Sequence, residues 1–235
     1  MPTALITGSS RGIGKATAKL FANSGWDLLL TSRSESSLSS LSEELSQLGQ
    51  KINYRAIDLS NQSEIRDGLT DLISKGSVPS VLINNAGIAW TGELLSMPTE
   101  EWNLIFQMNL TSVFQVCSVV VPEMRRNGGL LINVSSHASR NAFPQWGAYC
   151  ATKAALESLT KCIAVEERSN GIRACTLTLG AVNTPLWDSD SVKSDFDRNA
   201  MLTPEHAAKA LLHLAEQPIS QVIEDLTLMP SSGAF

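Results

Sequence analysis

Tyr149 and Lys153 stand one helical turn apart in Tyr149-Cys150-Ala151-Thr152-Lys153, so a helix here presents both on one face. A free phenol titrates at about 10, and an ammonium beside it favours the phenolate. A tyrosine so placed exchanges a proton with a carbonyl or an alcohol nearer neutral pH, which is general acid–base chemistry. Ser135 and Ser136 close an apolar run upstream of this pair. A hydroxyl at a strand end is suited to hydrogen-bond a substrate oxygen as charge develops on it. Taken singly, the Tyr/Lys pair is an ordinary helix face and the two serines an ordinary strand end. The weight lies in their combination.

A second group of residues points to a phosphate-bearing ligand. Thr7-Gly8-Ser9-Ser10-Arg11-Gly12-Ile13-Gly14 separates the first apolar run from a helical pattern. Glycines at this place let the backbone turn sharply and approach a pyrophosphate, whose charge is met by the helix amino terminus. The second apolar run ends Leu30-Thr31-Ser32-Arg33. A dinucleotide without the extra phosphate has its ribose hydroxyls held by an acid there. Ser32 occupies that place, Arg33 follows it, and Arg11 projects from the glycine turn. Two guanidinium groups meet a 2′-phosphate with bidentate, charge-assisted hydrogen bonds, so the expected cofactor is NADP(H). The alternative is a pair of surface arginines with Glu35 on the ribose.

Short apolar runs alternate with helical stretches along the whole chain, and these must position the groups above. The expected strands are Ala4–Thr7, Asp27–Thr31, Ile52–Ile57, Val81–Ile83, Leu130–Val134, Ile172–Leu177 and Ile223–Leu228. Helical patterns cover Ile13–Ala22, Leu38–Leu48, Glu64–Ile73, the region around Trp102–Met124, Tyr149–Glu167 and Pro204–Ala215. Thr203 is placed to cap the last of these, with proline at its first position. Strands apolar on both faces, separated by helices, predict an α/β fold. Its form is a doubly wound parallel sheet of about seven strands with helices on both faces (Rossmann-type), in a single domain spanning 1–235.

The ordered motifs resemble those of the short-chain dehydrogenase/reductase family over essentially the whole chain. The glycine turn is similar to that family's Thr-Gly-x-x-x-Gly-x-Gly, Asn84-Asn85-Ala86-Gly87 to its Asn-Asn-Ala-Gly, and Tyr149 to Lys153 to its Tyr-x-x-x-Lys. Ser136 stands thirteen residues before Tyr149, as the family serine does. The resemblance implies a catalytic set of Ser136, Tyr149, Lys153 and Asn109, the last organising a water relay behind the lysine. It also implies that Gly8, Ser10, Arg11, Gly12, Ile13, Gly14, Ser32 and Arg33 face the cofactor. So would Asp58 on the adenine, Leu59, Asn85, Ala86 and Gly87, with Lys153 and Tyr149 at the nicotinamide ribose. Val182 and Thr184 would hold the carboxamide beside Gly180. The chain departs from the family's Pro-Gly after the sixth strand, reading Leu179-Gly180, which leaves the turn without its proline. Asp58 also reads simply as a helix cap.

Trp90, His137, Phe143, Trp146 and Trp187 fall in regions that border the substrate in this family. They predict an aromatic-walled pocket for a compact ketone, aldehyde or diketone, or else core packing. The segment 184–203 is short and acidic (Asp188, Asp190, Asp195, Asp197), predicting a lid that closes poorly over a long acyl chain. A 3-oxoacyl-thioester reductase shares every motif and is the second expectation. A nucleotide-sensing protein without turnover is the third, although it would be expected to lose one of Ser136, Tyr149 or Lys153.

The bulk properties set the remaining expectations. With 43% hydrophobic and 17% charged residues, a large core is available. A net charge of −5 favours neither nucleic acid nor an anionic membrane as partner. The four cysteines, Cys117, Cys150, Cys162 and Cys175, lie in apolar stretches without metal-ligand spacing, so buried free thiols and no metal are expected. A cytoplasmic location, a homo-oligomer (dimer or tetramer) and a small-molecule carbonyl or alcohol substrate complete the reading.

Overall fold

The computed structural model describes residues 1–233. A seven-stranded sheet, parallel in every pairing, runs through the molecule in the order β3-β2-β1-β4-β5-β6-β7. Its strands are β1 (Thr3–Thr7), β2 (Asp27–Ser32), β3 (Ile52–Ala56), β4 (Val81–Asn84), β5 (Gly129–Ser136), β6 (Ile172–Leu179) and β7 (Asp225–Leu228). The helices are α1 (Gly12–Asn23), α2 (Glu35–Ser46), α3 (Gln62–Lys75), α4 (Thr99–Phe106), α5 (Ser112–Met124), α6 (Gly147–Glu166) and α7 (Pro204–Ala215).

Two apolar layers clamp the sheet. One joins α1, α2 and α7 through Phe21, Leu38, Leu45 and Leu211, and the other joins α3, α5 and α6 through Leu69, Val116, Val120 and Leu156. Because parallel strands are covered on both faces, β1 and β4 are buried at every position, as the unalternating apolar runs predict. Strand order reverses between β1 and β4, which opens a crevice beyond their carboxyl ends, where such sheets bind ligands.

The sequence boundaries hold with small shifts. β6 continues to Leu179 and β7 begins at Asp225 rather than Ile223. Thr203 caps α7 with Pro204 first, and the His206 side chain closes the box by accepting from the Thr203 amide. The continuous helical stretch Thr99–Met124 contains an 18-residue window of mean hydropathy 1.7, long and apolar enough to span a membrane by composition. More than half of that window is buried against the rest of the domain, so it is a core helix here. All four cysteines are free; Cys117 and Cys175 are buried as expected, but Cys162 is exposed because it falls on the outer face of α6.

Candidate active site

The glycine turn is set by contacts that exclude a side chain. A Cβ on Gly14 would come within 2.2 Å of the Gly8 carbonyl oxygen, and one on Gly8 within 2.9 Å of the Ala86 backbone. Gly8 also holds φ +67°, a conformation that suits glycine. The Asn-Asn-Ala-Gly segment braces this turn from β4. The amides of Asn85 and Ala86 both donate to Thr7 Oγ1 at 3.1 Å, and Asn85 Nδ2 donates to the Thr7 carbonyl at 3.0 Å. Asn84 points the other way and donates to Asn133 Oδ1 within the sheet. A groove of about 370 Å³ runs over the turn. Gly8, Ser10, Arg11, Gly12 and Ile13 form its floor, and Ser32 and Arg33 flank it. Leu59, Asn85, Ala86, Gly87 and Thr184, expected at the cofactor, also line it, together with Ile57, Ile88, Met108, Pro185 and Leu186, which were not. Gly14 lies beneath the turn rather than in the groove.

Ser32 Oγ is buried with no hydrogen-bond partner, as is Thr31 Oγ1 beside it. Arg11 and Arg33 are exposed, line the groove and have no acidic partner among the described residues. The pattern matches a site built for an anionic ligand, since an orphaned hydroxyl and two free guanidiniums are costly or idle otherwise. Ser34 and Ser37 also line this wall, although the sequence reading passed over them. Ser34 is the amino-terminal cap of α2, accepting from the Ser37 amide, and a cap signal directly after β2 was available to find it. Asp58 does not line the groove. Its carboxylate accepts from the Ser60 amide and hydroxyl at 2.9 and 2.8 Å, while Asn61 caps α3. The capping role expected of Asp58 therefore falls to Asn61.

A second cavity, of about 170 Å³, adjoins the groove and shares Ile13, Asn85, Gly87, Thr184 and Leu186 with it. Ser136, Tyr149 and Lys153 converge on it. Ser136 ends β5, and its hydroxyl accepts from the Ala138 amide at 3.2 Å and lies near enough to the Tyr149 phenol to oppose the rise in its pKa. Ser135, the alternative, also lines the cavity, but its hydroxyl is buried without a hydrogen-bond partner. Lys153 is buried, donates from Nζ to the Val134 carbonyl at 2.9 Å and lies 5.7 Å from the Tyr149 ring centre.

The electrostatics correct one expectation. Desolvation dominates both groups, so the phenol is pushed up to about 12 rather than down, against the opposing Ser136 hydrogen bond. Burial also lowers Lys153 to about 8. Tyr149 therefore rests protonated through neutral pH.

Asn109 is almost wholly enclosed, in a π-helical turn at Gln107–Thr111 between α4 and α5. The wider turn aims its amide at the loop after β4. Oδ1 accepts from the Ile88 amide, and Nδ2 donates to the Ile88 carbonyl at 2.9 Å and to Thr152 Oγ1 at 3.1 Å. Asn109 thus ties Gly87-Ile88 to the helix carrying Tyr149 and Lys153. Gly180 and Val182 line the cavity. The missing proline does not leave that turn loose, because Gly180 donates to the Leu228 carbonyl at 2.9 Å and Pro230 packs on it from beyond β7.

Of the aromatic set, His137, Phe143, Trp146 and Trp187 line the cavity. Trp146 meets Tyr149 and Trp187 edge-on at 5.6 and 5.5 Å, and Trp187 is locked by donating to the Val182 carbonyl at 2.8 Å. Trp90 is not among the lining residues; its ring covers Gly92 instead, where any side chain would collide with it. Phe196, missed in the acidic segment, lines the cavity and packs on Trp187 at 5.6 Å. That segment is pinned down rather than open. Ser191 Oγ donates to the Ala89 carbonyl at 2.8 Å, the Lys193 amide donates to Thr91 Oγ1, and Arg198 pairs with Asp188 at 2.9 Å. Among the described residues no group of three or more His, Cys, Asp or Glu side chains is placed to hold a metal.

A doubly wound sheet with a glycine-lined groove leading to a cavity that holds Ser136, Tyr149 and Lys153 is the architecture of a dinucleotide-dependent oxidoreductase. The model for the short chain dehydrogenase family matches residues 2–194, so the chain belongs to that family, whose members act on CH–OH and C=O groups. It is 30% identical over 236 residues to the 3-oxoacyl-(acyl-carrier-protein) reductase FabG of Chlamydia pneumoniae, covering 97% of this chain and 95% of that protein. It is 32% identical to a D-beta-hydroxybutyrate dehydrogenase of Cupriavidus necator, with 94% and 85% covered. Among solved structures, the alcohol dehydrogenase of Thermococcus sibiricus complexed with 5-hydroxy-NADP superposes with a TM-score of 0.91 at 28% identity, covering 98% and 97% of the two chains.

Proposed function

We propose that this chain is an NADPH-dependent reductase of small, uncharged, apolar or aromatic ketones, aldehydes or diketones. The observation that carries the reading is the continuity of the two hollows. A groove headed by unpaired Arg11 and Arg33 runs into a cavity where Ser136, Tyr149 and Lys153 meet under an aromatic wall. A nicotinamide dinucleotide held in this groove would supply the hydride. Tyr149 then hands its proton to the carbonyl oxygen, Ser136 hydrogen-bonds that oxygen as charge builds, and Lys153 provides the positive charge nearby. The NADP-complexed relative supports the cofactor.

The substrate class follows from what lines the cavity. Among the described residues Lys153 and His137 are the only basic side chains that line it, Lys153 is already committed to the Val134 carbonyl, and Trp146, Trp187 and Phe196 suit a compact apolar body. Trp102, Leu104 and Phe114 on α4 and α5 and Val165 on α6 are exposed, leaving apolar surface that a second copy of the chain would cover in a homo-oligomer. The second reading, a 3-oxoacyl-thioester reductase, is favoured by the FabG likeness. The two are separated by following NADPH oxidation on an aryl ketone, a diketone, a short aldehyde and a 3-oxoacyl thioester. The aryl ketone or diketone is expected to give the highest kcat/KM, and Trp187→Ala to lower it selectively. Highest kcat/KM on the thioester, unaffected by Trp187→Ala, would establish the second reading instead.

A pH dependence follows from Lys153. With its ammonium titrating near 8, the charged form is complete below that value and lost above it. We expect kcat/KM for carbonyl reduction to be level below pH 8 and to fall by about tenfold per unit above it, since this parameter reports free-enzyme groups. Lys153→Arg, which stays charged, is expected to remove the alkaline fall whatever its absolute rate. A native profile level to pH 10 would contradict the assignment.

A further inference from the structure

Beyond Lys153 on α6 the same helical face carries an acid that the reaction above does not use. Glu157 follows Tyr149 and Lys153 at four-residue intervals, and only 7% of it is exposed. Few carboxylates are buried this far without dedicated partners. Its partners lead back to the catalytic serine. Ser139 Oγ lies 2.5 Å from Glu157 Oε1 and 2.6 Å from the backbone carbonyl of Ser136, and its single proton is shared between these two acceptors. Arg140 Nε lies 3.2 Å from the same carboxylate, and its other end pairs with Asp225 of β7 and donates to Thr178 Oγ1 of β6 at 3.3 Å. Thr178 is the register partner of Ser135 and in turn donates to Asp225 at 3.2 Å. A chain of hydrogen bonds and ion pairs therefore joins α6, β6 and β7 to one peptide, the one that carries the Ser136 hydroxyl. Downstream, residues 140–142 and 144–145 are exposed, and Gln145 sits at φ +68°.

We propose that Glu157, held by Arg140 and Asp225 and acting through Ser139, is a positioning residue that keeps Ser136 on the Tyr149 phenol. The inference rests on Ser136 being the group that binds the substrate oxygen. Such a device acts on the chemical step, because displacing a catalytic hydroxyl by a fraction of an ångström weakens the hydrogen bond formed as charge develops. None of Glu157, Ser139, Arg140 and Asp225 lines the cofactor groove.

The test compares Glu157→Gln, Ser139→Ala, their double variant and Ser136→Ala in steady-state reduction, with NADPH affinity read by fluorescence. Glu157→Gln keeps the side chain's volume and removes its charge; Ser139→Ala cuts the bridge without emptying a buried ionic site. Each single variant is expected to lower kcat by about tenfold, with the carbonyl KM and the NADPH Kd within about twofold of native. The double variant is expected to be little worse than either single, since the two act in series. Folded Ser139→Ala with native kcat, beside a crippled Ser136→Ala, would overturn the positioning role and leave the catalytic reading intact. Losses of kcat matched by loss of NADPH affinity would overturn it too, marking a general structural strut. Native kcat in Ser136→Ala would overturn both readings.

Discussion

Tyr149→Phe is expected to lower kcat for carbonyl reduction by about 10³-fold, near the middle of what a positioned general acid contributes. The substitution deletes one oxygen and little else. The ring still packs edge-on against Trp146, and Lys153 still donates to the Val134 carbonyl, neither contact passing through the phenol oxygen. NADPH affinity and thermal stability are therefore expected to stay close to native. Ser136 loses its phenol partner but keeps the Ala138 amide, so its backbone stays in place. The residual rate would come from hydride delivery to a carbonyl polarised by Ser136 alone, with water as the proton source. Measured single-turnover rates decide the matter: retention of more than a tenth of the native rate would remove Tyr149 from the chemistry.

Much of this site is legible along the chain because its parts are local. Tyr149 and Lys153 share a helix turn, and Gly8 to Gly14 form one strand-to-helix corner; in both cases short-range geometry fixes what the residues meet. Ser136 needed only the strand end before that helix. What escaped depends on distances that sequence spacing does not encode. The rise of the Tyr149 phenol comes from burial by neighbours on several elements, which outweighs the lysine read from the motif. Phe196 reaches the cavity only because Ser191 and Lys193 are tied back to Ala89 and Thr91, a hundred residues earlier. Trp90 follows the Asn-Asn-Ala-Gly motif closely yet turns onto Gly92, since the chain reverses there and the ring covers the bare backbone. Pro230 supports the Gly180 turn across two strands, doing from β7 what a preceding proline would do locally. Glu157 was passed over because a glutamate on a long helix normally faces solvent; only the assembled sheet shows that it points inward.

Cofactor choice offers the other large effect. Removing both guanidiniums, as Arg11→Ala with Arg33→Ala, is expected to raise the KM for NADPH by about 10²-fold and to leave NADH nearly unchanged. A hydrogen bond to a charged group contributes about 1.5–3 kcal/mol, and 1.4 kcal/mol is tenfold in affinity. Both arginines are exposed, so screening keeps each near the lower figure, about tenfold apiece. The same exposure predicts that the native KM for NADPH rises with ionic strength while that for NADH does not. Neither arginine has an acidic partner to release among the described residues, which means their loss costs the folded protein little and the effect falls on the ligand. Ser32 sets the complementary change. Its hydroxyl is buried and unpartnered at the end of β2, and Ser32→Asp puts a carboxylate where the ribose diol of NADH is held and a 2′-phosphate is repelled. Added to the double arginine variant, it is expected to make NADH the better reductant. Equal losses for NADPH and NADH in the arginine variant would show that the two side chains grip the shared pyrophosphate instead, and that nothing in this groove selects the 2′-phosphate.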